Sequence, residues 1–194
     1  PMFKKLSLEL GGKNPNLIFA DCDYDKMLTT TLRSSFANQG QICLCGSRIF
    51  VEQSIYEKFK SDFITRVQQL QVGHPCEASS KVGAVVSAAH RDKIEEYLAF
   101  AKANPKEYNI LTGGNRVTIT DYEDGYYLEP TVIEVQSNDC KLNQEEIFGP
   151  VVTIMPFKDE AHALELANGT RYGLSATLWT NDLSRTMRLS NELE

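Results

Sequence analysis

A chain of 194 residues, 42% of them hydrophobic, is long enough to bury one sizeable core and falls within the usual size of a single domain. Its formal net charge of -6 comes with Lys and Arg scattered along the sequence, so no basic stripe meets a phosphate backbone and nucleic acid is not an expected partner. The longest apolar runs are strand-sized, and residues 1–5 carry no long apolar stretch ahead of a small-residue cleavage site; a soluble protein without a membrane partner is expected.

In chain order, Leu6, Leu8 and Leu10 alternate with polar residues and predict a strand over residues 5–10, ended by Gly11-Gly12 and followed by a short apolar run over 16–20. A helix comes next: Asp23 or Asp25 can cap it, and Met27, Leu28, Thr31, Leu32 and Ser35 keep one face until Asn38-Gln39-Gly40. Residues 47–52 read as a strand. Ser54-Ile55-Tyr56-Glu57 has the spacing of a capping box, and Tyr56, Phe59, Phe63, Val67 and Leu70 form the apolar face of the helix behind it. Val86-Ser87 opens a further helix through His90, Lys93, Ile94, Tyr97, Leu98 and Ala101, which Asn104-Pro105 stops. Ile110-Leu111 is a short strand ahead of Gly113-Gly114, and residues 126–135 and 151–157 are longer strands on either side of the 145–150 segment. Residues 160–168 predict a helix and 174–180 a strand; 183–193 predict a helix with no stop signal, which reads as cut off. Helices alternating with strands across short connections imply an α/β domain with a largely parallel sheet flanked by helices, because parallel neighbours need crossover connections.

Three segments could carry chemistry. In Asn38-Gln39-Gly40-Gln41-Ile42-Cys43-Leu44-Cys45-Gly46, a cysteine follows a glycine-containing turn and precedes a strand, where a thiol facing a cleft can act as a nucleophile once its thiolate is stabilised. A lone cysteine is more often an inert small hydrophobe. Cys43 and Cys45 form one C-x-C with no second pair, so no metal site is expected, and the C-x-x-C spacing of a redox pair is absent. The five cysteines read as reduced thiols of a cytoplasmic protein. In Leu8-Glu9-Leu10-Gly11-Gly12-Lys13, a carboxylate stands inside an apolar strand end, where burial would raise its pKa towards that of a general base; the alternation also permits a solvent-facing side chain. In Glu145-Glu146-Ile147-Phe148-Gly149-Pro150, an acidic pair precedes a Gly-Pro turn and could accept the hydroxyls of a ribose, or lie in a solvated loop.

Together, and in this order and spacing, the three segments resemble the signatures of the aldehyde dehydrogenase superfamily, and the resemblance covers the whole chain. Lys4-Lys5-Leu6-Ser7-Leu8-Glu9 and Ser34-Ser35-Phe36-Ala37-Asn38-Gln39-Gly40, with Ile42-Cys43-Leu44-Cys45, are similar to its 2-aminomuconic semialdehyde dehydrogenase branch. The resemblance implies that Cys43 attacks an aldehyde carbonyl, that the resulting thiohemiacetal yields hydride to a nicotinamide and becomes a thioester, and that Glu9 activates the hydrolytic water. The backbone N–H of Cys43 is implied as an oxyanion donor. Glu146 is implied to bind the nicotinamide ribose, Phe148 to pack beside the nicotinamide, Gly11 to line the site, and Lys93 to contact a cofactor ribose. Leu44 and Cys45 flank the nucleophile and either shape the aldehyde channel or simply pack.

The same resemblance marks what residues 1–194 do not contain. No Gly-rich strand-to-helix turn of the dinucleotide type is present, and Leu111-Thr112-Gly113-Gly114-Asn115 lacks its spacing. Residues 1–194 are therefore expected to be the catalytic domain alone, truncated at both ends and without the dinucleotide-binding domain that supplies most of the NAD (or NADP) surface. The implied substrate is a small, acidic, unsaturated semialdehyde, and the implied parent enzyme is a homo-oligomer. A non-catalytic domain derived from this fold, and a cofactor-free thiol esterase using Cys43 and Glu9, are the competing expectations.

Overall fold

The computed structural model describes residues 3–194. Strand β1 spans Pro15–Ile18, helix α1 Tyr24–Phe36, β2 Arg48–Glu52, α2 Tyr56–Gln68 and α3 Ala88–Ala103. Then follow β3 (Tyr108–Thr112), β4 (Arg116–Val117), β5 (Tyr127–Leu128), β6 (Thr131–Val135), α4 (Lys141–Gln144), β7 (Val151–Phe157), α5 (Glu160–Asn168), β8 (Thr177–Trp179) and α6 (Leu183–Glu192). Six strands form one sheet in the order β3-β6-β7-β2-β1-β8. All pairings are parallel except the edge pair of β3 with β6, so the fold is the expected α/β domain with a largely parallel sheet. The remaining pair, β4 with β5, is a separate antiparallel ribbon.

Helices cover both faces of the sheet, and the strands alternate between two cores accordingly. On β2, Phe50 joins Ile94, Leu98 and Ala101 of α3 and Ala163, Leu166 and Ala167 of α5 on one face. Its neighbours Ile49 and Val51 face the other way, onto Met27, Leu28 and Phe36 of α1 and Phe59, Phe63 and Val67 of α2. Local signals account for where the helices begin. Asp23 rather than Asp25 caps α1, accepting from the Lys26 N–H at 3.2 Å; Ser87 caps α3 at the His90 N–H and Asp159 caps α5 at the His162 N–H.

Three expectations are corrected. No strand forms over residues 5–10: the segment is extended and exposed, with Leu6, Leu8 and Leu10 at 77%, 68% and 57% exposure. Period-2 alternation makes a strand only where another element pairs its backbone and covers its apolar face, and no described element does either. The capping box at Ser54 does not form, because the Ser54 hydroxyl donates instead to Glu52 at 2.7 Å and a short 3-10 turn leads into α2. The expected strand over 126–135 is broken into β5 and β6 by Glu129-Pro130, since a proline brings no N–H to a ladder. Helix α6, capped by Asp182, spans Leu183–Glu192, within one residue of the expected range.

The topology places the interesting loops together. Because β1, β2, β7 and β8 run in the same direction, the segments leading into them, residues 11–14, 38–47, 145–150 and 170–176, meet at one edge of the sheet, the edge formed by the amino ends of the strands.

Candidate active site

The glycine pair after the exposed arm is the first wall of the site. Gly12 is buried and donates its N–H to the Glu146 carboxylate at 3.0 Å. A Cβ on Gly11 would lie 2.6 Å from Glu146 Oε2, and one on Gly12 would lie 2.8 Å from the Cys43 carbonyl oxygen. The absence of side chains here is thus what allows the first and third segments, 134 residues apart, to touch.

The thiol loop is held by strained backbone and one asparagine. Asn38, Gln39 and Gly40 have φ of 50°, 58° and 68°, three successive residues in the left-handed region, which costs the two non-glycine residues steric energy and turns the chain sharply before Cys43. Gly40 packs against the Gly149 carbonyl so closely that any Cβ would collide with it, which locks the second segment onto the third. Asn14 Nδ2 donates to the carbonyls of Cys43 at 2.7 Å and Cys45 at 2.9 Å, while its Oδ1 accepts from the Ser175 N–H at 3.2 Å. One buried amide therefore ties the loops before β1, β2 and β8 together.

Cys43 lies in the turn closed by the Cys45 N–H on the Ile42 carbonyl at 2.9 Å, and it is half-buried. Its own N–H donates to no described residue, which leaves a donor free beside the sulfur. Cys45 is 8% exposed and burial pushes its thiol pKa up, so the two neighbouring thiols differ: Cys45 is a packed, protonated group and Cys43 the accessible one. All five cysteines are free thiols, and the described residues contain no cluster of three or more His, Cys, Asp or Glu side chains that could hold a metal ion.

The third segment is fixed by α3. Lys93 Nζ donates to the Glu146 carbonyl at 3.3 Å, and the His90 ring nitrogen Nε2 lies 2.6 Å from the Phe148 carbonyl oxygen. Phe148 has φ of 58°, an uncommon conformation for a bulky residue, and its ring meets the His90 imidazole edge-on at 6.0 Å. Glu146 and Phe148 are half-buried, Lys93 exposed. The structure thus brings Gly11, Cys43, Glu146, Phe148 and Lys93 into one neighbourhood. It does not bring in Glu9, which stands exposed on the extended arm, without the apolar enclosure its sequence context suggested.

Two cations frame the site from below. Arg48 is 0% exposed and donates to the carbonyls of Lys13, Leu166 and Ala167 and to Asn138, and burial holds its pKa down to about 10. Lys13, 1% exposed, is lowered to about 7, first by burial and then by the Arg48 charge. Asn14, His90 and Arg48 are positioning residues that sequence reasoning passed over. A usable signal was present for Asn14, a polar residue immediately before the start of a fully buried strand.

The profile of the Aldehyde dehydrogenase family matches residues 1–194. The chain is 43% identical to the 2-aminomuconic semialdehyde dehydrogenase of Danio rerio, over 100% of this chain and 40% of that protein. It is 44% identical to a 2-aminomuconic 6-semialdehyde dehydrogenase of a Pseudomonas species, over 96% of this chain and 38% of that one. Among solved structures, betaine aldehyde dehydrogenase from Staphylococcus aureus in complex with NAD+ superposes with a TM-score of 0.90 at 41% identity, covering 95% of this chain and 36% of that one. The chain spans about 40% of the length of the curated relatives it matches.

Proposed function

The chain belongs to the aldehyde dehydrogenase family, and from that membership we propose that it carries the thiol half of an NAD(P)-dependent oxidation of an aldehyde to its acid. Cys43 is the nucleophile and Glu9 the base of the hydrolytic step. Gly11, Glu146, Phe148 and Lys93 form the wall for the nicotinamide end of the cofactor. The observation that carries the reading is the convergence of three segments distant in sequence: Gly12 on the Glu146 carboxylate, Asn14 on the Cys43 carbonyl, and Gly40 against Gly149.

The residues present fit the sugar end of such a cofactor. Lys93 and Glu146 border an open pocket of about 550 Å³ with Tyr97, Arg171 and Tyr172, and an ammonium beside a carboxylate offers the donor and acceptor that neighbouring sugar hydroxyls need. NAD(P), when bound, supplies the hydride acceptor that converts a thiohemiacetal on Cys43 into a thioester.

The rest of the chemistry falls to the chain. The Cys43 thiolate forms a C–S bond to the aldehyde carbon, and the carbonyl oxygen takes up negative charge beside the free N–H of Cys43. In the second half, Glu9 takes a proton from water as the water oxygen bonds to the thioester carbon; the C–S bond breaks and the acid leaves. Glu9 needs a wall that the described residues do not provide, and a site lacking one wall loses the preorganisation that supports the rate. NAD-dependent aldehyde oxidation by residues 1–194 alone is therefore expected to be absent. The names of the relatives favour a semialdehyde, 2-aminomuconic semialdehyde first, as substrate.

The test is an alkylation map of the five cysteines by mass spectrometry across pH. Cys76 is exposed and serves as the accessible but unactivated reference. Cys43 is expected to label faster than Cys76 at neutral pH, although it is less exposed. If Cys76 reacts as fast or faster, accessibility alone explains the labelling and the nucleophile assignment falls.

A further inference from the structure

The last two turns of α1 lie against the loop that carries Cys43, and between them is a pocket of about 340 Å³ to which the preceding reading gives no role. Thr30, Arg33, Ser34 and Ala37 form its helical wall, one face at i, i+3, i+4 and i+7 spacing. Ile42, Leu44 and Cys45 form the opposite wall. The Gly46 N–H donates to Ser34 Oγ at 3.2 Å and fixes the two walls to each other. Ile42 and Leu44 are the immediate chain neighbours of Cys43, and they are 38% and 57% exposed, so the pocket borders the turn that contains Cys43, although Cys43 itself does not line it. Its volume is that of a small-molecule site.

Arg33 is the only charged side chain among the described residues that line this pocket. Its guanidinium makes no ion pair and no hydrogen bond with any described residue, in a chain with 26 acidic residues against 20 basic ones. The two other arginines at this edge are occupied: Arg48 by buried carbonyls and Arg171 by the Tyr172 hydroxyl. A free planar fork in a largely apolar pocket, with the two chain neighbours of Cys43 in the opposite wall, suits a ligand with a carboxylate at one end, a short hydrocarbon spacer, and an electrophilic carbon.

We propose that Arg33 is a specificity-determining residue that takes the carboxylate of an acidic aldehyde while Ile42 and Leu44 cover the carbons that lead to its carbonyl at Cys43. This rests on the assignment of Cys43 as the nucleophile. Arg33 meets the far end of the substrate in ground state and transition state alike, so its removal weakens binding of acidic aldehydes and leaves neutral ones without a comparable loss.

The experiment measures Cys43 alkylation with a neutral maleimide and with carboxyalkyl maleimides of increasing spacer length in the same sample. At one spacer length the anionic reagent is expected to outrun the neutral one by about fivefold, the size of a partly exposed charge-assisted contact. Arg33→Gln abolishes that preference and Arg33→Lys keeps part of it. Because the result is a ratio, changes in thiolate fraction or folding cancel. A wild-type ratio near one at every length, or a ratio untouched in Arg33→Gln, overturns the role of Arg33 and leaves Cys43 standing. Should Cys43 label no faster than Cys76 with any reagent, the nucleophile assignment fails instead. The carboxylate site is then decided separately, by phenylglyoxal modification of Arg33 with and without glutarate: protection supports it, and none overturns it.

Discussion

Replacing Arg48 by Met tests whether the frame of the site hangs on one buried cation. The guanidinium donates through Nε to Lys13 O at 2.8 Å, through Nη1 to Leu166 O at 2.9 Å and Asn138 Oδ1 at 3.2 Å, and through Nη2 to Ala167 O at 2.7 Å. None of these partners is a carboxylate. Leu166 and Ala167 lie in the last turn of α5, so the cation also meets the negative end of that helix. Methionine fills part of the volume and leaves the acceptors stranded. Hydrogen bonds to a charged donor contribute about 1.5–3 kcal/mol each, but removing the charge also returns several kcal/mol of desolvation, so the net loss is expected at about 3–5 kcal/mol. That is a large part of the about 5–15 kcal/mol of a typical domain. Urea unfolding followed by the single tryptophan, Trp179, and by far-UV circular dichroism reads it as a lower midpoint at unchanged slope. On heating, the melting temperature is expected to fall by about 6–20 °C, from about 2–4 °C per kcal/mol for a domain of this size. A loss under about 1 kcal/mol would show that the carbonyls find other donors and would refute the reasoning.

Three further outcomes follow from the same geometry. Lys13 titrates at about 7 when folded and at the ordinary 10.5 when unfolded, so below about 7 both states are charged and the burial penalty is fully present. Between those values the unfolded chain binds more protons, so the urea midpoint is expected to climb as pH rises from about 7 to about 9, and Lys13→Met to flatten the climb; a flat wild-type profile contradicts this. Gly12→Ala puts a Cβ 2.8 Å from both the Cys43 carbonyl oxygen and Asn14 Oδ1, and is expected to cost about 1–3 kcal/mol and to change the Cys43 alkylation rate, while unaltered stability and labelling would mean the loop yields freely. Leu8→Ser, on a side chain 68% exposed, is expected to move stability by less than about 0.5 kcal/mol and to reduce self-association in sedimentation runs; a larger loss of stability would place Leu8 in a core.

What the sequence alone determined was what short-range chemistry writes. Strand β7 over Val151–Phe157 and helix α5 over Glu160–Asn168 were legible to the residue, because a mostly apolar run of strand length and a capped helical stretch depend only on neighbours within a few positions. The three site segments were legible for the same reason, as motifs whose order and residue types stand in the chain itself. Tertiary structure decided the rest. Leu6, Leu8 and Leu10 carry a strand pattern, but a strand needs a partner edge, and whether one exists is a property of the whole fold. The left-handed backbone at Asn38 and Gln39 could not be read from residue types that more often adopt ordinary conformations; it persists because Gly40 must pass against Gly149. The Asn14 clamp and the His90 contact to Phe148 join positions far apart in sequence. No periodicity records such distances; the parallel crossovers that bring four strand beginnings to one edge create them.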